Sequence, residues 1–291
     1  MLLGRSRAAR ARELADQGAA LLESDRAGAA ACYQEAVRLD PTLHEAWFDL
    51  GLTHKWSGDW EEAFTCNLRA AELIGEKAEE PAWWNLGIAA TALHRWDVAR
   101  RAWKAYGVAI PEGAGPIEHD FGPGVVRLNP HGEAEVVWGR RIDPARMRLV
   151  SIPFPGSGHR WADVVLHDGA PNGSRESAGH EYAVFDELMR WAPSGVPTVE
   201  ASVRAESPED IDALIAVVEE AGYAAEDWTA NVRMLCRRCS EGAVHEEHGQ
   251  AALASGREHV VGIAAPLAAA HQIVATWTAG PGRACHSIEE A

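Results

Sequence analysis

The segment Trp47-x-x-Leu50-Gly51 returns as Trp83-x-x-Leu86-Gly87, thirty-six residues further along the chain. Twelve residues after each glycine stands an alanine, Ala63 and Ala99. Upstream, Leu14, Gly18, Ala29, Tyr33, Ala36 and Pro41 follow in the same order, with a turn one residue shorter. A unit recurring at this period cannot bury its apolar face alone and does so by stacking on its neighbours. Small Gly and Ala let two antiparallel helices approach closely, and large residues fill the space beside them. Pro41 ends the second helix. The first hundred residues are therefore expected to form stacked helix pairs.

The order W-x2-L-G, alanine, aromatic, proline resembles the tetratricopeptide repeat over residues 8–107. The departures are specific. The first unit lacks the early tryptophan, Asn67 replaces the aromatic of the second, and the third ends in Trp103 and Tyr106 without a prompt proline. The resemblance implies that the first helix of each unit lines a concave groove. That places Phe48, Leu52, Lys55 and Trp56 on the surface from the second unit, with Trp84, Asn85 and Ile88 from the third, and leaves Trp47 and Trp83 in the core. Aromatic anchors suit an apolar or amphipathic helical partner. Lys55 stands without the lysine–asparagine cluster by which chaperone-binding relatives hold a C-terminal carboxylate. The alternative is a groove filled by the rest of the chain.

From Gly107 to Gly124, Pro111, Gly113, Gly115, Pro116, Gly122, Pro123 and Gly124 interrupt the helical periodicity and mark a boundary. Beyond it, Glu135 to Arg141, Arg148 to Pro153 and Trp161 to His167 read as strands. Asn129 to Gly132 and Asp168 to Gly173 read as turns. Tyr182 to Trp191 reads as a strand end entering a short helix. The expectation is a small antiparallel β unit, a partly closed barrel. His159, Asp163, His167, Asp168, His180 and Glu181 could hold a water-activating metal, but no H-E-x-x-H spacing occurs. Gly156-Ser157-Gly158 lacks the setting of a nucleophile elbow.

The last hundred residues alternate strand and helix. Thr198 to Arg204 is a strand, and Ser207-Pro208-Glu209-Asp210 starts a helix that Gly222 closes. Val232 to Cys236 and Glu258 to Ala264 follow as strands. A helix from Leu267 to Trp277 and a strand from Arg283 to Ile288 complete the series. This βαββαβ order reads as a ferredoxin-like sandwich. Between its halves, Cys236 and Cys239 precede His245 and His248. Two thiolates and two imidazoles could complete a zinc tetrahedron, with Cys285 and His286 as alternative ligands. A redox Cys-x-x-Cys lacks the strand-to-helix setting it needs. Two solvated thiols at a strand end are the bland alternative.

Composition narrows the function. Twenty-seven basic against 43 acidic residues give a net charge of −16, which disfavours non-specific nucleic-acid and membrane-surface binding. No lysine follows Lys104, so the remainder holds neither a Schiff-base nor a phosphate-loop lysine. Five scattered cysteines make no disulfide framework and point to a reducing cytoplasm. No apolar run resembles a secretory signal. The Arg- and Ala-rich, Lys-poor bias resembles a bacterial gene of high GC content.

The fold class expected is therefore α + α/β multidomain. It comprises helical repeats (1–107), a Gly/Pro linker (108–124), a β-rich unit (125–194) and a ferredoxin-like α+β domain (195–291). The function expected is a cytoplasmic interaction, scaffold or regulatory protein with a protein or peptide partner and no catalytic residue. The alternative is a metal-dependent enzyme with its site in the C-terminal half.

Overall fold

A computed structural model describes residues 2–75, 77–229 and 257–291. The chain combines α-helices in its first part with β-sheets and two further described helices in the rest, an α plus β class. It divides into two compact units. The first is Met1–His119 with Asp143–Ala145, and the second is Asp120–Ile142 with Arg146–Ala291.

Three successive helix pairs build the first unit: α1 (Leu2–Leu21) with α2 (Arg26–Leu39), α3 (His44–Trp56) with α4 (Trp60–Ile74), and α5 (Pro81–Ala92) with α6 (Trp96–Tyr106). Each pair also packs on the next, α2 on α3 and α4 on α5. One contact recurs in every pair. Gly18 meets Tyr33, Gly51 meets Asn67 and Gly87 meets Trp103, so closely that an added Cβ would stand 2.8, 2.5 and 2.6 Å from those side chains. Ala29, Ala63 and Ala99 are wholly buried on the second helix of each pair. The helix ends obey capping chemistry. Asp25 accepts from Gly28 N at 2.9 Å, Asp59 accepts from Glu62 N at 3.4 Å, and Gly107 ends α6 with φ 108°.

The Gly/Pro stretch after α6 has no helix or strand up to Gly122, as its composition predicts. It is nonetheless tied down. The Arg100 guanidinium on α6 donates to the carbonyls of Pro111, Gly115 and Pro116 at 2.6, 2.8 and 3.2 Å.

In the second unit, β1 (Pro123–Leu128), β2 (Glu135–Arg141), β3 (Arg146–Leu149), β4 (Val164–Ser177) and β5 (His180–Ala192) close a barrel in sequence order. Four of its ladders are antiparallel, and β1 with β5 closes the ring in parallel. An odd number of strands in a meander forces that one parallel seam. Val126, Leu128, Val137, Met147, Leu149 and Val165 fill one core. Gly124 and Gly139 leave room for Met147, whose atoms lie 2.6 and 2.4 Å from where a Cβ would stand.

Three expectations are corrected here. The barrel is closed rather than partly closed. Tyr182 to Trp191 is strand throughout, with no helix. Asp168 to Gly173 lies inside β4 rather than forming a turn, and the irregularity signalled by its Gly and Pro appears as register shifts against β5.

A second sheet has the order β7-β8-β6-β9, all antiparallel, from β6 (Thr198–Arg204), β7 (Ala224–Asp227), β8 (Glu258–Ala264) and β9 (Ala284–Glu290). Helices α7 (Pro208–Glu220) and α8 (Leu267–Trp277) pack on one face. Val199, Ala201, Val203, Val261 and Ile263 meet Leu214, Val218, Ile273, Val274 and Trp277 there. Ser207 occupies the N-cap position of α7 but makes no side-chain cap bond to the backbone. The strand following α7 is β7, earlier than Val232 to Cys236, which lies outside the described residues. The opposite face holds Trp228 and Ala264 against Ile152, with Phe154 and Trp161 packed on them.

Candidate functional site

The residues expected to line the helical groove come from α3 and α5, and their burial is uneven. Phe48, Leu52, Trp56 and Trp84 are half-buried, whereas Lys55, Asn85 and Ile88 are buried. Lys55 Nζ donates to Asn85 Oδ1 at 2.8 Å, joining the first helices of the second and third pairs. Lys55 Nζ also stands 5.6 Å from the Trp56 ring centre, and the Arg26 guanidinium carbon stands 5.4 Å from it on α2. Trp84 crosses Trp103 and Tyr106 edge to face at 5.0 and 4.8 Å, with its Nε1 buried and no hydrogen-bond partner. Trp84 is thus a packing residue for α6 whatever else it contacts. Trp83 is buried, and its Nε1 donates to Gly75 O at 3.0 Å. Trp47 is half-buried and donates to Pro41 O at 3.1 Å. Among the described residues, Val150 is the large hydrophobic side chain that stands exposed, and it lies outside this array.

Asp49, on α3 next to Phe48, escaped the sequence reading. Burial, aided by the Glu45 charge one turn away, pushes its carboxyl up to about 6. The only signal in the sequence was the acidic pair Glu45 and Asp49 at helical spacing.

Among the described residues, the polar ones of the middle segment form no group of three that could hold a metal ion, although His159 and Asp163 lie near one another. His159 is buried, its Nε2 lies 2.6 Å from Glu187 Oε1 and its Nδ1 lies 3.0 Å from Ser157 O. Burial opposes the charged imidazolium, but the Glu187 carboxylate, the Ser157 carbonyl and Asp163 outweigh it and raise the histidine pKa. With an acceptor at each ring nitrogen, His159 cannot serve Ser157 as a base. The Ser157 hydroxyl instead donates to Phe154 O at 2.8 Å. Asp163 accepts from Ser194 N and Arg160 N at 2.7 and 3.0 Å. His167 is wholly buried with its Nδ1 2.8 Å from Asp168 O, and Asp168 accepts from Gly169 N at 2.7 Å. His180 and Glu181 stand exposed at the tip of the β4–β5 hairpin. Glu187, missed in the sequence, organises this corner of the barrel, its second oxygen accepting from Asn129 N at 3.1 Å.

Cys236, Cys239, His245 and His248 lie outside the described residues. Of the alternative ligands, Cys285 is half-buried with a thiol pKa raised by burial, and His286 is exposed with Nε2 3.0 Å from Glu258 Oε2. No helix among the described residues is long and apolar enough to cross a membrane. Compared with known proteins, the chain matches no protein-family model and no curated protein.

Proposed function

We propose that this chain is an adaptor or scaffold protein of the cytoplasm whose N-terminal helices, an array of the tetratricopeptide type, recruit a protein or peptide partner. The observation that carries the reading is the contact repeated through the three helix pairs. Gly18 on Tyr33, Gly51 on Asn67 and Gly87 on Trp103 hold equivalent places on successive pairs. Stacked pairs in a constant register leave the first helices as a side-by-side row, a surface suited to an extended or helical segment. Phe48, Leu52 and Trp56 on α3 are the half-buried side chains offered for contact, and the Lys55–Asn85 bridge supplies a fixed polar element beside them. The second unit is the part that positions or regulates what the array recruits. Its strand order β7-β8-β6-β9 with two helices on one face supports a ferredoxin-like reading of residues 195–291.

The test is selection of peptides from a displayed library on the immobilised full chain. Selected peptides should lose at least about tenfold in affinity on Phe48→Ala, with thermal unfolding of the variant close to wild type. Binders indifferent to Phe48 and Leu52, or no binders from a diverse library, would overturn the reading.

A further inference from the structure

The second helix pair differs from its neighbours in two ways. Its interhelical position holds Asn67 where the first and third pairs hold Tyr33 and Trp103. Asn67 is wholly buried, its Nδ2 donates to Ala63 O at 2.8 Å, and its Oδ1 has no hydrogen-bond partner. This pair is therefore closed by a small polar side chain with an unsatisfied acceptor rather than by an apolar ring. In the same pair, one ligand atom each from His54, Glu62 and Cys66 lies within 4.8 Å of the other two.

We propose that His54, Glu62 and Cys66 form a binding site for a divalent cation of the zinc class, which clips α3 to α4. Glu62 and Cys66 are four residues apart on α4 and share a face. His54 comes from the last turn of α3, and the turn through Gly58 (φ 74°) and Asp59 brings it to them. Sulfur, imidazole and carboxylate are a zinc donor set. Bonds of about 2.0–2.3 Å at tetrahedral angles put ligand atoms about 3.3–3.7 Å apart, so side-chain rotation of about an ångström closes the site. Cys66 is buried and Glu62 exposed, which leaves the solvent side for a water as fourth ligand. Asp59 Oδ2 lies 3.4 Å from His54 Nδ1, a carboxylate placed to orient a ligating imidazole.

The metal-free site holds Cys66 as the thiol, whose proton the cation must displace. Burial, with the Glu62 and Asp59 charges behind it, pushes the Cys66 thiol up to about 12. A dication among those carboxylates reverses that balance and favours the thiolate, so binding releases a thiol proton to solvent. The proposal does not depend on the array's having a partner.

The experiment uses the full chain carrying Cys236→Ser and Cys239→Ser, titrated with cobalt(II) as a spectroscopic stand-in and then with zinc. One equivalent of cobalt should bind with a thiolate-to-metal charge-transfer band, and zinc should displace it. Glu62→Gln changes an exposed side chain and His54→Gln a partly buried one, so the unfolding of each metal-free variant is measured beside its affinity. Each should weaken the metal at least tenfold while metal-free thermal unfolding stays as in the parent. Cys66→Ala should remove the charge-transfer band. Added zinc should raise the unfolding temperature of the parent by more than that of any of the three variants. No charge-transfer band in the folded parent, or a band that survives Cys66→Ala, would overturn the site, and so would unchanged affinity in both Glu62→Gln and His54→Gln.

Discussion

The Trp228 indole lies over Gly262 so closely that a Cβ on the glycine would come within 2.3 Å of the ring. The same indole donates from Nε1 to Ile152 O at 3.0 Å, and Glu226 accepts from Ile152 N at 2.9 Å. Backbone of the segment after β3 is thereby held on the face of the second sheet that α7 and α8 do not cover. Gly262→Ala should destabilise the second unit by about 1–3 kcal/mol through overpacking. Denaturant unfolding of the single and double variants provides the check. In a Trp228→Ala background the added methyl should cost much less, and additive penalties would contradict the contact.

Trp84 and Phe48 are predicted to part company. Trp84 braces Trp103 and Tyr106, so Trp84→Ala should cost about 2–4 kcal/mol of stability in the helical unit. Phe48→Ala should cost about 1 kcal/mol or less, in keeping with a half-buried contact residue. Chemical denaturation monitored by far-UV circular dichroism separates them. Equal losses would remove Phe48 from the contact surface.

His159 should titrate above the ordinary histidine value, because Glu187 and the Ser157 carbonyl hold its proton. A raised folded pKa means that the stabilisation is complete below about pH 6.5, the unfolded value, and is lost as pH rises through the folded one. Glu187→Gln should lower the His159 midpoint and flatten that loss. Ring-proton NMR titration reads it directly. An inflection at or below the ordinary value in wild type would refute the pairing.

Asp49 has the same sign for a different reason. Burial and Glu45 keep its proton on to about 6. Its contribution is full below about pH 4 and disappears as pH climbs through 6, where the carboxylate must ionise half-buried. Asp49→Asn should therefore unfold at a higher temperature than wild type above pH 6 and not at pH 4. Melting curves across that range decide it, and a pH-independent difference would mean that Asp49 is already ionised at pH 4.

Elements whose pattern is local are legible in the sequence. The turn positions at Pro41 and Gly107, the strand Glu258–Ala264 and the helix Leu267–Trp277 follow from periods of 3.6 and 2 with their end signals. The first barrel strand, Pro123–Leu128, was missed because Pro and Gly crowd its start and made it look like linker. β5 was misread at its C-terminal half because Asp186, Glu187 and Arg190 break its apolar alternation. Those charged positions are now explained by partners. Asp186 takes Arg127 Nη1 at 2.5 Å and Asn172 Nδ2 at 2.9 Å, while Glu187 takes His159.

By itself the sequence determined the helix-pair repeat, since small residues opposite large ones at a constant interval admit close helix packing and little else. It signalled also an alternation of strand and helix in the last third, though it placed the strand after α7 later than β7, because alternation, caps and turn residues are read from neighbours in the chain. The tertiary structure alone decided the parallel closure of β1 on β5, where Val125 meets Val184. It alone paired His159 with Glu187, and it alone gathered His54, Glu62 and Cys66. Each of these joins residues from separate elements, and no periodicity within one element records which partner a second will bring. Such encounters are settled by barrel closure, helix approach and the cost of leaving a buried charge or donor unmet.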